Sequence, residues 1–132
     1  MKKDIIAVSC GVFIWLVLNT LLFANLLNLL LNNEISPLFF KLLFFLSSFI
    51  VGFFVGFLGK SKGWLLGLST QIIIALFYIL FFYTDSFTLL EIEEIGNFKA
   101  LTNHLITQIP LICLATIGGY FGERVRIRTV AK

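Results

Sequence analysis

Apolar residues along this chain come in long unbroken runs. They do not alternate with a helical or strand period. Four runs stand out: Ile5–Leu31, Leu38–Leu58, Trp64–Tyr83 and Leu105–Gly122. A bilayer core of about 30 Å needs roughly 20 apolar residues at 1.5 Å rise each. The first run has 27 residues, the third 20 and the fourth 18. The pattern therefore predicts an all-α, polytopic membrane protein with four transmembrane helices. The whole chain, 1–132, reads as a single membrane domain.

The breaks between the runs support this division. Asn32 to Pro37 forms a polar turn, and Pro37 suits the first position of a helix. Lys60-Ser61-Lys62-Gly63 is a connection so short that it forces its flanking helices antiparallel. Thr84–His104 is the one long polar stretch. It mixes Asp85, Glu91, Glu93, Glu94 and Lys99 with Phe87, Leu89, Leu90, Ile92, Ile95 and Phe98, which predicts a short interfacial helix in the outer loop. Gln108 and Pro110 fall in the first turns expected of the fourth span, where proline is tolerated. The result is two antiparallel hairpins.

Composition removes the soluble alternative. The chain is 59% hydrophobic and 13% charged, with 16 Phe among its 132 residues. A soluble domain averages about 45–50% apolar and about 25% charged. A chain this short could not bury that much apolar surface in water. Met-Lys-Lys before the first run resembles a signal peptide, but the run is too long and lacks a cleavage site, so it reads as an uncleaved anchor.

Charge placement sets the orientation. The N-terminus, the Lys60–Lys62 turn and the C-terminal tail carry eight basic against two acidic residues, a net +6; the opposite side carries two basic against five acidic, a net −3. The positive side faces the cytoplasm. The expected location is the bacterial cytoplasmic membrane, with the N- and C-termini cytoplasmic. The basic residues lie in short clusters beside apolar runs, so nucleic acid is not an expected partner. The expected partners are the lipid bilayer and a second copy or another membrane protein.

Small residues supply the sharpest motif. Ser48, Gly52 and Gly56 recur every four residues along the second run. Gly59, Gly63 and Gly67 continue the spacing through the turn. Ala115 and Gly119, with Gly118 and Gly122, repeat it in the fourth. Such spacing lets membrane helices approach closely, where dispersion and Cα–H···O contacts replace the missing hydrophobic drive. The stripe fits packing within one chain, a homo-oligomer interface, or a path lined by glycine backbone. Gly56-Phe57-Leu58-Gly59-Lys60 also resembles Gly119-Tyr120-Phe121-Gly122-Glu123, which suggests a parallel repeat of two helix pairs.

Polar residues within the runs are few. Asn25, Asn28 and Asn32 share one helical face. They either line a polar vestibule or hydrogen-bond a neighbouring helix. Ser69-Thr70-Gln71 is the best candidate for a buried polar spot, and Gln71 with Asn25 and Asn28 would mark a polar path. No Asp, Glu, Arg or His lies mid-span, where ion-coupled carriers need one. Cys10 and Cys113 read as apolar filler and His104 as a lone interfacial residue. Metal-ligand clusters, phosphate loops and nucleophile–base pairs are lacking, so no catalytic residue, metal or cofactor is expected, and no enzyme.

The stretch Gly52-Phe53-Phe54-Val55-Gly56, the basic turn, Gly63-Trp64-Leu65-Leu66-Gly67 and the closing Gly118-Gly119-Tyr120-Phe121-Gly122 together resemble the YrzE-type family of small four-span membrane proteins of Gram-positive bacteria. The resemblance spans nearly the whole chain. The Arg124–Arg128 tail and the acidic outer loop depart from it. It implies a four-span fold and no assigned chemistry. The expectation is a structural or accessory protein, with a channel or uncoupled transporter subunit as the alternative.

Overall fold

The computed structural model describes residues 2–31, 37–81 and 96–131. Every regular element among them is an α-helix: α1 (Lys2–Leu31), α2 (Pro37–Leu58), α3 (Gly63–Phe81) and α4 (Asn97–Val130). Two are long and apolar enough to cross a membrane, α1 over Lys2–Leu21 and α4 over Phe98–Val130. The apolar stretches Leu42–Leu58 and Gly63–Phe77 are shorter.

Named contacts fix the relative directions. Gly52 faces Ala115 and Gly56 faces Gly119, so α2 and α4 run the same way. Gly63 faces Gly119 and Gly67 faces Ala115, so α3 runs against both. Gly11 of α1 meets Val55 and Thr70, and Asp4 meets Lys60 and Ser61, so α1 runs with α3. Among the described residues, α4 contacts α2 most extensively and α3 next, and α1 lies on α2 and α3. The dominant pair, α2 with α4, is therefore one that consecutive hairpins alone do not anticipate.

α1 docks through a face repeated every four residues. Ala7, Gly11, Trp15 and Asn19 are all buried, the stagger that puts side chains on one stripe. Ala7 and Trp15 join Val51, Val55, Leu66 and Ile74 in the apolar core, flanked by Val8, Val12, Ile14 and Leu18.

Helix ends agree with the apolar runs for α1 at Leu31 and for α2 at Leu58. α4 does not agree. It starts eight residues before the expected Leu105 and ends eight after Gly122, and Pro110 lies well inside it rather than in its first turns. Bilayer thickness limits how much helix is apolar, but not how far a helix continues. Thr102 and Thr129, in the added turns at the two ends, donate to the carbonyls of Phe98 and Val125 one turn back, so their hydroxyls are satisfied within the helix and do not end it. Gly96, at φ 83°, sits just before Asn97 in a conformation that L side chains rarely adopt, and marks where the chain turns into α4. The expected interfacial helix falls mostly on residues 84–95, outside the described residues. The remainder of that stretch, from Asn97 to His104, is the first part of α4.

Candidate functional site: a glycine seam and a clasped turn

The small-residue stripe lies between helices of a single chain. Ala115 and Gly119 of α4 are seated between Gly52 and Gly56 of α2 and Gly63 and Gly67 of α3. A Cβ on Gly52 would fall on the Ala115 carbonyl and lie 2.7 Å from the Ala115 Cα. A Cβ on Gly56 would fall on the Gly119 carbonyl and lie 2.8 Å from the Gly119 Cα. Ordinary contact begins at 3.4 Å, so these backbones approach closer than any side chain allows. One residue around α4, Gly118 faces the Phe49 carbonyl and Gly122 the Phe53 carbonyl. Phe49 and Phe121 flank that seam with ring centroids 6.4 Å apart, a tilted aromatic pair. Gly59 differs: its neighbour is Leu66 Cδ1, so it lies at the turn and not in the seam. The residues aligned by the internal similarity, Gly56 and Gly119, sit at one level, while their partners Gly59 and Gly122 make unrelated contacts.

The interior is polar for so apolar a chain. Among the largest fully buried side chains are Gln71, Thr70 and Ser48 beside Ile74, Val51 and Val55. Thr70 donates to the Leu66 carbonyl at 2.8 Å. Asn19 donates through Nδ2 to the Trp15 carbonyl at 2.9 Å, and its Oδ1 is buried with no partner among the described residues. The same is true of Ser48 Oγ, Gln108 Oε1 and both amide atoms of Gln71. Because Gly52 and Gly67 both face Ala115, Ser48 and Gln71 lie level, one turn farther from the Lys60–Lys62 turn. Gln108 is seven residues from Ala115 on the same face of α4. Of the residues expected on a polar path, Gln71 is fully buried. The side chains of Asn25 and Asn28 lie outside the described residues.

The second feature is the α2–α3 turn, which both ends of the chain clasp. Asp4 Oδ1 accepts the N–H groups of Lys60 at 2.7 Å and Ser61 at 2.8 Å. Glu123 Oε2 accepts the N–H of Gly63, the first residue of α3, at 2.7 Å. Arg126 reaches the Ser61 carbonyl at 3.4 Å. The hydrogen bonds from Ser61 first, then from Lys60, hold the Asp4 carboxyl well below the usual carboxylate range. Gly63 starts a helix whose first N–H groups have no partner within it, and a carboxylate there suits both the open donors and the dipole.

The sequence pattern does not announce this clasp: Asp4 and Glu123 stand there as the two acids among eight basic residues, and Glu123 also closes the Gly119–Glu123 similarity. The available signal was two acids embedded in basic clusters, each near a glycine-rich turn or a helix end. Gly11 was likewise missed, although its place in the Ala7–Asn19 stripe marks it.

Among the described residues, no three His, Cys, Asp or Glu side chains gather as metal ligands. A surface cavity of about 290 Å³ is lined by Arg126, Ile127, Val130 and Ala131, with no acid or nucleophile among those residues. The geometry thus offers close helix packing, a buried amide–hydroxyl layer and a basic end. No protein-family model, no curated protein and no solved structure matches this chain.

Proposed function

We propose that the chain is a four-span protein of the bacterial cytoplasmic membrane, with both termini cytoplasmic, acting as a structural or accessory subunit rather than as an enzyme. The observation that carries this reading is an inverted distribution of polarity. Phe13, Leu46, Phe54, Leu76, Ile109 and Phe121 are exposed while Ser48, Thr70 and Gln71 are buried. In water that arrangement would leave large apolar patches exposed. In lipid it places apolar groups against acyl chains and polar groups between helices. α2 and α3, at 22 and 19 residues, are each about 30 Å long and fit the same bilayer as α1 and α4.

Single cysteines introduced into a Cys10→Ala, Cys113→Ala background test the topology. Ser61→Cys and Thr129→Cys should react with a membrane-impermeant maleimide only after permeabilisation, and Ser86→Cys should react in intact cells. Labelling of Ser61→Cys in intact cells would refute the orientation, and protein recovered wholly in the soluble fraction would refute the membrane assignment.

Ser48 and Gln71, buried and without partners among the described residues, favour one second reading, a channel or uncoupled transporter subunit whose path crosses this layer. Passage of small neutral solutes through reconstituted vesicles, abolished by Gln71→Leu, would support it. Equal permeability of protein-containing and empty vesicles would dismiss it.

A further inference from the structure

The clasp has a consequence for the charges around it. Among the described residues, Lys2, Lys3, Lys60, Lys62, Arg124, Arg126 and Arg128 gather at the end where Asp4 and Glu123 are the acids. Asp4 Oδ1 and Glu123 Oε2 are turned onto backbone N–H groups of the turn. Lys60, Lys62, Arg124 and Arg128 are exposed, and none forms an ion pair among the described residues. Arg124 and Arg128 lie one turn apart on one face of α4. Tyr120 orients Arg124: its hydroxyl accepts the Nε hydrogen at 3.0 Å, and its ring lies 5.1 Å below the guanidinium carbon. The two terminal nitrogens of Arg124 stay available for a forked contact, the geometry that suits phosphate oxygens. The Arg126–Ser61 contact holds the Lys60–Lys62 turn at the same end of the bundle, on the other side of α4 from Arg124 and Arg128.

We propose that this end of the bundle binds anionic phospholipid headgroups of the inner leaflet, with Arg124 and Arg128 taking the phosphodiester and Lys60 and Lys62 adding charge. The inference rests on the membrane reading above. Tyr120 holds Arg124, with Arg128 beside it on an exposed face, and the seven basic residues of this end outnumber its two acids, so net positive charge remains after both carboxylates are counted. Basic groups held at an anionic surface favour it by roughly fivefold each.

Trp64 provides the probe, because it follows the clasped Gly63 and is 39% exposed, whereas Trp15 is buried. The full chain carrying Trp15→Phe is reconstituted in bilayers containing phosphatidylglycerol or phosphatidylcholine with brominated acyl chains of equal length. At equal mole fraction, brominated phosphatidylglycerol should quench Trp64 at least about fivefold more effectively. The combination K60Q, K62Q, R124Q and R128Q should remove that preference while quenching by brominated phosphatidylcholine persists. Equal quenching by both lipids in the parent chain would overturn the headgroup site and leave the membrane reading intact. Absence of quenching by either lipid would overturn both. Glycerol 3-phosphate in solution should leave the preference unchanged, and loss of the preference on its addition would overturn the lipid assignment in favour of a soluble anion.

Discussion

Gly56→Ala tests the helix seam most directly. The added Cβ would lie 2.8 Å from both the Cα and the carbonyl carbon of Gly119, against an ordinary contact of 3.4 Å. The shortfall is 0.6 Å on those lines and larger toward the carbonyl oxygen. The obstructing atoms are backbone, so no rotamer change can make room; α2 and α4 must separate. Overpacking of this kind costs about 1–3 kcal/mol. Separation also weakens Cα–H···O contacts, which contribute about 0.5–1 kcal/mol each. Alanine returns about 0.5–1 kcal/mol through its lower backbone entropy in the unfolded chain. The expected net loss is about 1–3 kcal/mol. Gly59→Ala is the internal control. There the only overlapping atom is Leu66 Cδ1, the end of a flexible side chain, while the Val55 carbonyl oxygen at 3.1 Å is tight but does not overlap, so the expected loss is below about 1 kcal/mol. Equilibrium unfolding of the full chain in detergent micelles, followed by helical circular dichroism, measures both. A Gly56→Ala protein as stable as the parent, or a Gly59→Ala protein less stable than Gly56→Ala, would refute the backbone-seam argument.

Other substitutions test the clasp and the buried layer. Because hydrogen bonding lowers the Asp4 pKa from its ordinary value of 3.8, the stability it contributes is present above about pH 4 and is lost as pH falls below that value. The thermal midpoint should therefore drop on acidification, and Asp4→Asn should flatten that part of the profile. Glu123→Ala removes the acceptor for Gly63 N–H and should cost about 0.5–2 kcal/mol, as loss of a helix cap does, with faster hydrogen exchange at Gly63. Gln71→Leu replaces an amide whose two polar atoms are buried without partners among the described residues and should raise unfolding stability by about 1–3 kcal/mol; a fall in stability would mean that the amide is paired.

Much of the helical layout is legible from apolar run lengths, since Leu31 and Leu58 end helices where the runs end. The ends of α4 are not legible in this way, because the polar residues that close the apolar run before Leu105 and after Gly122 do not close the helix. Thr102 and Thr129 carry their own acceptors within the helix, so they lie outside the apolar run without breaking the helix. The glycine positions are also legible, because a four-residue recurrence is a property of one helix. Their partners are not. Nothing in the spacing of Gly52 and Gly56 says that Ala115 and Gly119, over 60 residues away, will meet them. The clasp was hidden for a related reason. Asp4 and Glu123 bind backbone N–H groups, which every residue but proline has, so no sequence pattern marks the receiving end.

The seating of α4 also bears on the order in which the bundle can assemble. A chain made from its N-terminus has α1, α2 and α3 before α4 exists. Asp4 can already hold the Lys60 and Ser61 amides, and the Ala7–Trp15 face can already cover Val51 and Val55. The groove between Gly52, Gly56, Gly63 and Gly67 then stands open, lined by bare backbone and sized for a ridge of Ala115 and Gly119. Until that ridge arrives, any other helix carrying small residues at the same spacing fits the vacancy. The three-helix intermediate is therefore the form of this protein most exposed to mispairing, and insertion of α4 is the step that commits the chain to itself.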